Sequence, residues 1–331
     1  MTRVFSGIQP TGAKHIGNWL GAIRHYVADQ ETYGSESIFC VVDLHSMTVP
    51  YDPADLRTWS LDTAAVLIAA GLDPERCLLF LQGQVSAHSE LAWILNNVAS
   101  MGELGRMTQF KSKSEGRDSV TVGLFVYPVL MSADVLLYKA DRVPVGEDQR
   151  QHLELMRDLA ERFNNRFGKT FPIPEAAIPK TAARVRDLQD PAKRMSTTQS
   201  SEEGKVLMLD PPEVILKKFK RAVTDSGSEI VAREDKPGVS NLLDILSAVT
   251  GSELATLEAS YVGKGYGALK VDVAEAVIEA LRPIQERYAV LASDRAELAR
   301  LLDRGAERAR ERARPVLAEV RERVGLVGSV S

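Results

Sequence analysis

The sequence is poor in cysteine, has no long apolar run and carries no excess of basic charge. Its two cysteines, Cys40 and Cys77, lie in separate apolar stretches and form no C-x-x-C pair, which argues against a zinc or iron–sulfur site and favours buried, reduced thiols. The chain has 41 Lys and Arg residues and 45 Asp and Glu residues, which argues against a protein that coats nucleic acid through its overall charge. A local basic surface is still possible. Neither a membrane span of ~18 apolar residues nor a signal-like start is present. We therefore expect a cytoplasmic protein with no membrane partner.

What is present is an alternation of short apolar runs and helical periodicity in the first part of the chain. The runs RVFSG, SIFCVVD and CLLFLQG read as strands, and the helical stretch after the first has apolar residues at Ile16, Leu20, Ile23 and Val27. This order predicts a doubly wound, parallel, Rossmann-like α/β sheet, whose ligands bind beyond the carboxyl ends of the strands. A further strand, RVPVG, is predicted after an apolar helix that contains Pro128.

Beyond residue 204 the pattern changes to one helix after another. We therefore predict an α/β catalytic domain over residues 1–204 and an all-helical C-terminal domain over residues 205–331. Within the first domain, MTQFKSKSEGRDS is predicted as a loop with a helical start. The last helix, rich in Arg and Glu of mixed order, is predicted to be solvated.

The first strand ends in the glycine-rich corner SGIQPTGAKHIGN. Gly7, Gly12 and Gly17 let the backbone turn tightly and approach a ligand, and the helix that begins near His15 presents free N–H groups suited to phosphate. Glycine spacing alone leaves a purely structural corner as the alternative. The chain has no G-x-S-x-G motif and no Ser/His/Asp set, so nucleophilic triad chemistry is not indicated.

The string GIQPTGAKHIGNWLGAI resembles the P-x-x-x-x-H-I-G-H element of class I aminoacyl-tRNA synthetases, in the tryptophanyl form that has Asn18 in place of the last His. Three further stretches agree in order: YPVLMSADVLLY, VPVGEDQRQHLELMRDLAERFN, and AVTDS followed by KPGVSNLL. The resemblance implies that the carboxylate of L-tryptophan attacks Mg²⁺-ATP to give tryptophanyl-adenylate, and that the activated group passes to tRNA(Trp). It also implies a homodimer, anticodon contacts in the helical domain, and no protein-bound metal or iron–sulfur cluster.

The resemblance assigns a tryptophan pocket and an ATP site to numbered positions. Asp134 lies in an apolar run, where a carboxylate needs a partner, and it is assigned as acceptor for the indole N–H; a helix cap or structural pair is the alternative. The tryptophan pocket is assigned Phe5, His45, Tyr127, Met131, Asp134 and Gln149. The ATP site is assigned Gln9, Pro10, Thr11, Gly17, Asn18, Gly146, Glu147, Asp148, Val185, Arg194, Met195, Ser196, Thr197 and Thr198.

The segment DPAKRMSTTQSS, residues 190–201, matches the family's phosphate-closing loop K-M-S-K-S only in part. Arg194 keeps the first charge, but Thr197 stands where the second lysine is expected. Because the reaction develops negative charge on phosphorus and pyrophosphate, cations matter here. The catalytic set implied by the resemblance is Asn18, Lys113, Arg194, Ser196 and Thr197. The missing charge could come from Lys111, Lys113 or Lys193, or be replaced by backbone N–H groups of the loop.

Three other functions stay open at this point. A tyrosyl-tRNA synthetase is disfavoured by GIQPTG and MSAD, and a small-molecule nucleotidyltransferase by the long helical second half. A non-catalytic RNA- or partner-binding paralogue is compatible with the lost loop lysine. The basic cluster Lys217, Lys218, Lys220 and Arg221 is either a tRNA contact or a solvated helix face.

Overall fold

The computed structural model describes residues 2–116, 119–146, 149–177 and 185–327. Within these residues the strands form one parallel sheet in the order β3-β2-β1-β4-β5. The strands are β1 (Val4–Ile8), β2 (Ser37–Val41), β3 (Leu78–Leu81), β4 (Arg142–Pro144) and β5 (Glu175–Ala177). The parallel sheet and its first four strands are confirmed. The strand β5 was not predicted, because it is three residues long, lies at the edge of the sheet and is mostly exposed.

Both faces of the sheet are buried, as a doubly wound sheet requires. Along β2, Ile38 and Cys40 enter one apolar cluster, whereas Phe39 and Val41 enter the other. Since successive side chains of a strand point to opposite faces, these two clusters lie on opposite sides of the sheet. Cys40 and Cys77 are buried and form no disulfide, as predicted.

The helices of the first part surround the glycine-rich corner and cover the sheet. The helical stretch after β1 runs without interruption to Tyr33, but its turn Trp19–Ile23 is a π-helix between α1 and α2. A helix over Thr108–Ser114 forms the predicted helical start of MTQFKSKSEGRDS, and Met107 alone separates it from the helix Met101–Arg106. The helices are α1 (Ile16–Asn18), α2 (Arg24–Tyr33), α3 (Asp43–Ser46), α4 (Pro53–Ala69), α5 (Ala87–Asn96), α6 (Met101–Arg106), α7 (Thr108–Ser114), α8 (Val122–Leu136) and α9 (Arg150–Phe167).

The described residues beyond 204 contain helices and no strand. They are α10 (Pro212–Lys220), α11 (Pro237–Thr250), α12 (Leu254–Ser260), α13 (Tyr266–Ser293) and α14 (Arg295–Arg323). Side chains of α11 and α13 share one apolar cluster with α4 and the sheet. Across its described length, no helix of the protein is both long and apolar enough to cross a membrane.

The prediction of a solvated last helix is wrong for one face of α14. This helix returns to the sheet, where Ala306, Ala309 and Ala313 are buried against the same cluster as Phe80. The small side chains allow a close approach: a Cβ on Gly305 would overlap the carbonyl oxygen of Leu79 in β3. The boundary near residue 205 stays a prediction, since the C-terminal helices share their core with the α/β part.

Candidate active site

Two neighbouring cavities lie beyond the carboxyl end of β1, and Gln9 and Arg194 line both. The first, of about 410 Å³, is lined by all six residues assigned to the tryptophan pocket, together with Lys113 and Gly146. The second cavity, of about 620 Å³, lies between the HIGN corner (residues 15–18 and the turn before them) and the loop of residues 190–201. Its lining includes Thr11, Gly17, Asn18, Met195, Ser196, Thr197 and Thr198.

Asp134 is the buried acid of the first cavity. Its Oδ1 accepts a hydrogen bond from Gln82 Nε2 at 2.6 Å and lies 2.7 Å from His88 Nδ1, and its Oδ2 lies 2.8 Å from His45 Nε2. Burial opposes ionisation, but the hydrogen bonds to His45 and His88 outweigh it and lower the pKa of Asp134 to about 2. A carboxylate offers about four acceptor positions, so Oδ2 keeps one for a ligand N–H beside these three bonds.

The tautomer of His88 is set by its two neighbours. His88 Nε2 lies 2.8 Å from the hydroxyl of Tyr138, and Nδ1 faces the carboxylate of Asp134. Since Asp134 is ionised and only accepts, Nδ1–H donates to it, which leaves Nε2 to form the hydrogen bond with the Tyr138 hydroxyl. Asp134 therefore has structural partners as well as a place at the cavity wall, so both readings of its role are compatible with the geometry.

Tyr127 and Lys113 also line the first cavity and lie close to each other. The hydroxyl of Tyr127 lies 2.7 Å from His152 Nε2, and burial raises the pKa of Tyr127 to about 12. Lys113 Nζ stands 5.0 Å from the centre of the Tyr127 ring, a cation–π distance. Lys113 thus lies among the tryptophan-pocket residues, and it is not among the residues that line the second cavity.

The HIGN corner is surrounded by positive charge. His15 is buried, and burial, followed by the charges of Lys14, Arg194 and Lys205, lowers its pKa to about 4. Lys14 Nζ donates to the carbonyl oxygens of Gln9 at 2.7 Å and Gly12 at 3.2 Å, and burial lowers the pKa of Lys14 to about 8. A neutral His15 in a field of three cations suits a site for a polyanion.

The 190–201 loop is closed by its own hydrogen bonds. Met195 N–H donates to the carbonyl of Val185 at 3.1 Å, and this hydrogen bond ties the loop to the segment before it. Ser196 N–H donates to Ser200 Oγ at 2.9 Å, and Gln199 N–H donates to Ser196 Oγ at 3.2 Å. The N–H groups of Lys193 and Ser200 also donate within the loop, to the carbonyls of Asp190 and Ser196. Four backbone donors are therefore engaged, which disfavours phosphate binding by loop N–H groups alone.

Some assigned residues stand apart from the cavities. Pro10 and Val185 are buried but do not line either cavity, and Val185 packs beneath Gly17. Glu147 and Asp148 lie outside the described residues. In the part of the chain that the structure describes, no group of three or more His, Cys, Asp or Glu side chains could hold a metal ion. The individual roles of the assigned residues stay predictions.

The basic cluster on α10 is less exposed than expected. Lys218 is buried, and its Nζ forms an ion pair with Asp210 Oδ2 at 2.7 Å. Lys218 therefore has a structural role. The expectation that it could contact tRNA is wrong. Lys217, Lys220 and Arg221 are exposed and keep that candidacy.

Residues 1–282 match the family described as tRNA synthetases class I (W and Y). The chain belongs to this family. A relative named tryptophan–tRNA ligase, from Caldanaerobacter subterraneus subsp. tengcongensis, is 53% identical over 328 residues, covering 99% of each chain. The synthetase also superposes on the tryptophanyl-tRNA synthetase of Mycoplasma pneumoniae with a TM-score of 0.90 at 36% identity, covering 99% of this chain and 98% of the other.

A second solved structure is that of the Campylobacter jejuni tryptophanyl-tRNA synthetase complexed with ADP and tryptophan. Its TM-score is 0.85 at 33% identity, covering 98% of this synthetase and 100% of that chain. These likenesses, with the family match, account for the α/β fold with a helical C-terminal part.

Two residues that hold Asp134 in place, without lining the first cavity themselves, were missed in the sequence. Gln82 directly follows β3, at the strand end where ligands gather, and this position was the available signal. His88 stands in the apolar helix α5, where a buried histidine requires a partner. Neither residue belongs to one of the sequence motifs that carry the family resemblance.

Proposed function

We propose that this chain is a tryptophan–tRNA ligase, which activates L-tryptophan with ATP to tryptophanyl-adenylate and transfers the tryptophanyl group to tRNA(Trp). The observation that carries the proposal is the buried, ionised Asp134 in the wall of the first cavity. The high identity to a bacterial relative of that name supports it, as does the fold shared with a synthetase solved with ADP and tryptophan.

The first cavity suits an indole because it joins apolar walls to a strong acceptor. Phe5 and Met131 contribute apolar surface, and Asp134 Oδ2 accepts from the indole N–H, the one polar group of the ring. Phenylalanine lacks this donor and would leave the carboxylate unpaired, which costs affinity. Tyr127 and Gln149 are proposed to hold the ammonium and carboxylate of the substrate.

The first step needs no general base, because the tryptophan carboxylate is already ionised at neutral pH. The protein instead positions the carboxylate and stabilises negative charge as pyrophosphate departs. Arg194 stands where the two cavities meet and is proposed to contact the phosphates, with Asn18 as a neutral donor. Mg²⁺ is proposed to enter with ATP, where it shields phosphate charge.

The partners are proposed on the same basis. The exposed Lys217, Lys220 and Arg221 are candidates for tRNA phosphate contacts. We propose a homodimer acting in the cytoplasm, where the buried thiols of Cys40 and Cys77 stay reduced.

The decisive test is the exchange of labelled pyrophosphate into ATP, run separately with each of the twenty amino acids. Exchange driven by tryptophan supports the proposal, and aminoacylation of tRNA(Trp) completes it. Exchange with tyrosine alone would assign the chain to the tyrosine branch of the family. No exchange with any amino acid would favour a non-catalytic paralogue.

A further inference from the structure

The loop brings one positive charge fewer to the second cavity than the family motif would. Thr197 faces the HIGN corner, where a Cβ on Gly12 would lie 3.1 Å from Thr197 Cγ2, but it brings only a hydroxyl. Gly12 has φ of +116°, a backbone conformation that favours glycine, so this close approach is built into the turn. A charge near Thr197 would act on the phosphates that the corner is proposed to hold.

Of the cations considered from the sequence, Lys193 lines the second cavity but is solvated, and Lys111 and Lys113 do not line it. Lys193 Nζ forms an ion pair with Asp190 at 2.8 Å, and its side chain is 76% exposed. Lys113 is stacked on Tyr127 in the first cavity, and Lys111 is exposed on α7. None of these positions brings a desolvated charge to Thr197.

Lys205 is fixed beside Thr197 by a backbone pairing that the sequence does not reveal. Ile16 N–H donates to the carbonyl of Val206 at 2.9 Å, and Met208 N–H donates to the carbonyl of Lys14 at 2.8 Å. The segment that follows the loop is therefore hydrogen-bonded to the HIGN corner itself. Lys205 comes just before this segment.

The side chain of Lys205 contacts the backbone of the loop. Its Nζ donates to the carbonyl oxygen of Thr197 at 3.3 Å and pairs with Glu202 Oε1 at 2.6 Å. The Lys205 side chain is 12% exposed, whereas that of Glu202 is 76% exposed. Because an ion pair with a solvated carboxylate is weak, the ammonium can leave Glu202 at little cost. Lys205 also contributes to lowering the pKa of His15, which fits a position near the corner.

We propose that Lys205 supplies the positive charge that Thr197 lacks, by moving its ammonium from Glu202 to a phosphate oxygen of ATP as the loop closes. The inference rests on the proposed function, because it concerns the same ATP site. It makes Lys205 a specific substitute for the second lysine of the loop, supplied from outside the motif.

The test combines Lys205→Met, Lys205→Arg, Thr197→Lys and the double variant Lys205→Met/Thr197→Lys in tryptophan-dependent exchange. Lys205→Met should lower kcat/KM for ATP about tenfold, the effect of one partly desolvated charge contact, with KM for tryptophan unchanged. Lys205→Arg should retain most activity, and Thr197→Lys alone is the reference for the double variant. The double variant should regain the lost activity, because lysine returns to the position where the family motif has it.

A merely structural role predicts the opposite pattern. If Lys205 only anchors the Thr197 carbonyl, Thr197→Lys will not restore the Lys205→Met variant. Unchanged kinetics of Lys205→Met would also overturn the proposal. The matched control is Lys139→Met, which breaks another lysine–glutamate pair, with Glu319 at 2.8 Å, and should leave exchange unaltered.

Binding of inorganic pyrophosphate, measured by calorimetry, separates this inference from the proposed function. Lys205→Met should weaken pyrophosphate binding about tenfold, and equal affinities would refute the role of Lys205 whatever the exchange assay gives. Absence of tryptophan-dependent exchange in the unmodified protein would instead refute the function. If Lys205→Met does not fold, Glu202→Gln decides: freeing Lys205 should tighten pyrophosphate binding, and an unchanged or weaker affinity contradicts the proposal.

Discussion

Among single residues, Asp134 is the one through which the proposed choice of substrate would depend on the packing of the protein. Gln82 and His88 hold Oδ1, and His45 holds one side of Oδ2, so the carboxylate is oriented before any ligand arrives. We expect Asp134→Asn to raise KM for tryptophan roughly 10- to 100-fold, because a charge-assisted hydrogen bond to the indole N–H is lost. KM for ATP should change less than about twofold. Steady-state exchange kinetics with each substrate varied in turn measure both values.

The neighbouring His88 provides a comparison for that variant. His88→Gln keeps a donor towards Asp134 but loses the link to Tyr138, so its effect on KM for tryptophan should be smaller than that of Asp134→Asn. An unchanged KM for tryptophan in Asp134→Asn would remove this carboxylate from the substrate pocket.

His15 makes the stability of the protein depend on pH. Burial, then Lys14, Arg194 and Lys205, lowers the folded-state pKa to about 4, whereas the unfolded chain titrates near 6.5. Between these values the unfolded state binds more protons, so stability falls as pH falls from about 6.5 towards 4. The contribution of His15 between pH 7 and pH 5 should be about 2 kcal/mol. Urea unfolding at both pH values measures it.

The matched variants are His15→Gln and His25→Gln. The first should reduce the loss of stability between pH 7 and pH 5, even if its overall stability is lower. The second changes a half-buried histidine further along the same helical stretch and serves as the comparison for loss of a histidine there. Equal pH dependence in His15→Gln and the unmodified protein would mean that His15 does not resist protonation in the fold.

Among the helices and strands, the contact between α14 and β3 is the tightest constraint. A Cβ on Gly305 would overlap the Leu79 carbonyl, which is backbone and cannot turn away. Gly305→Ala should therefore destabilise the protein by about 3 kcal/mol through overpacking. Gly267→Ala, in α13 with open space around its Cβ, should be neutral or stabilising by up to about 1 kcal/mol. Chemical unfolding compares the two, and similar effects would show that α14 can shift outward.

This helix also marks the limit of what the sequence predicts. The four apolar strands and the long amphipathic helices follow from periodicity, because the local pattern records which face is buried. The return of α14 to β3 and the position of Lys205 depend on pairing between residues far apart in the chain, so no local pattern contains them. The strand β5 is three residues long and mostly exposed, which leaves no apolar signal. The sequence motifs predicted residues that line both cavities. Gln82 and His88, which hold Asp134, became evident only from the packing.

For the whole molecule, the proposed homodimer has a candidate surface. Trp93 on α5, Met101 on α6 and Val122 on α8 are 71%, 76% and 75% exposed, and α8 packs against both other helices. Large apolar side chains exposed on neighbouring helices are typical of interfaces, where aromatic residues contribute much of the binding energy.

We expect light scattering coupled to gel filtration to give twice the chain mass, and Trp93→Glu to shift the protein towards the monomer. Placing a carboxylate in an apolar interface leaves it buried without a partner, which costs several kcal/mol of association energy and corresponds to a rise in Kd of about 100-fold or more. Val290→Glu is the matched control, since Val290 on α13 is also 71% exposed but lies in the C-terminal helices. A dimer that persists in Trp93→Glu but dissociates in Val290→Glu would place the interface on the helical part instead.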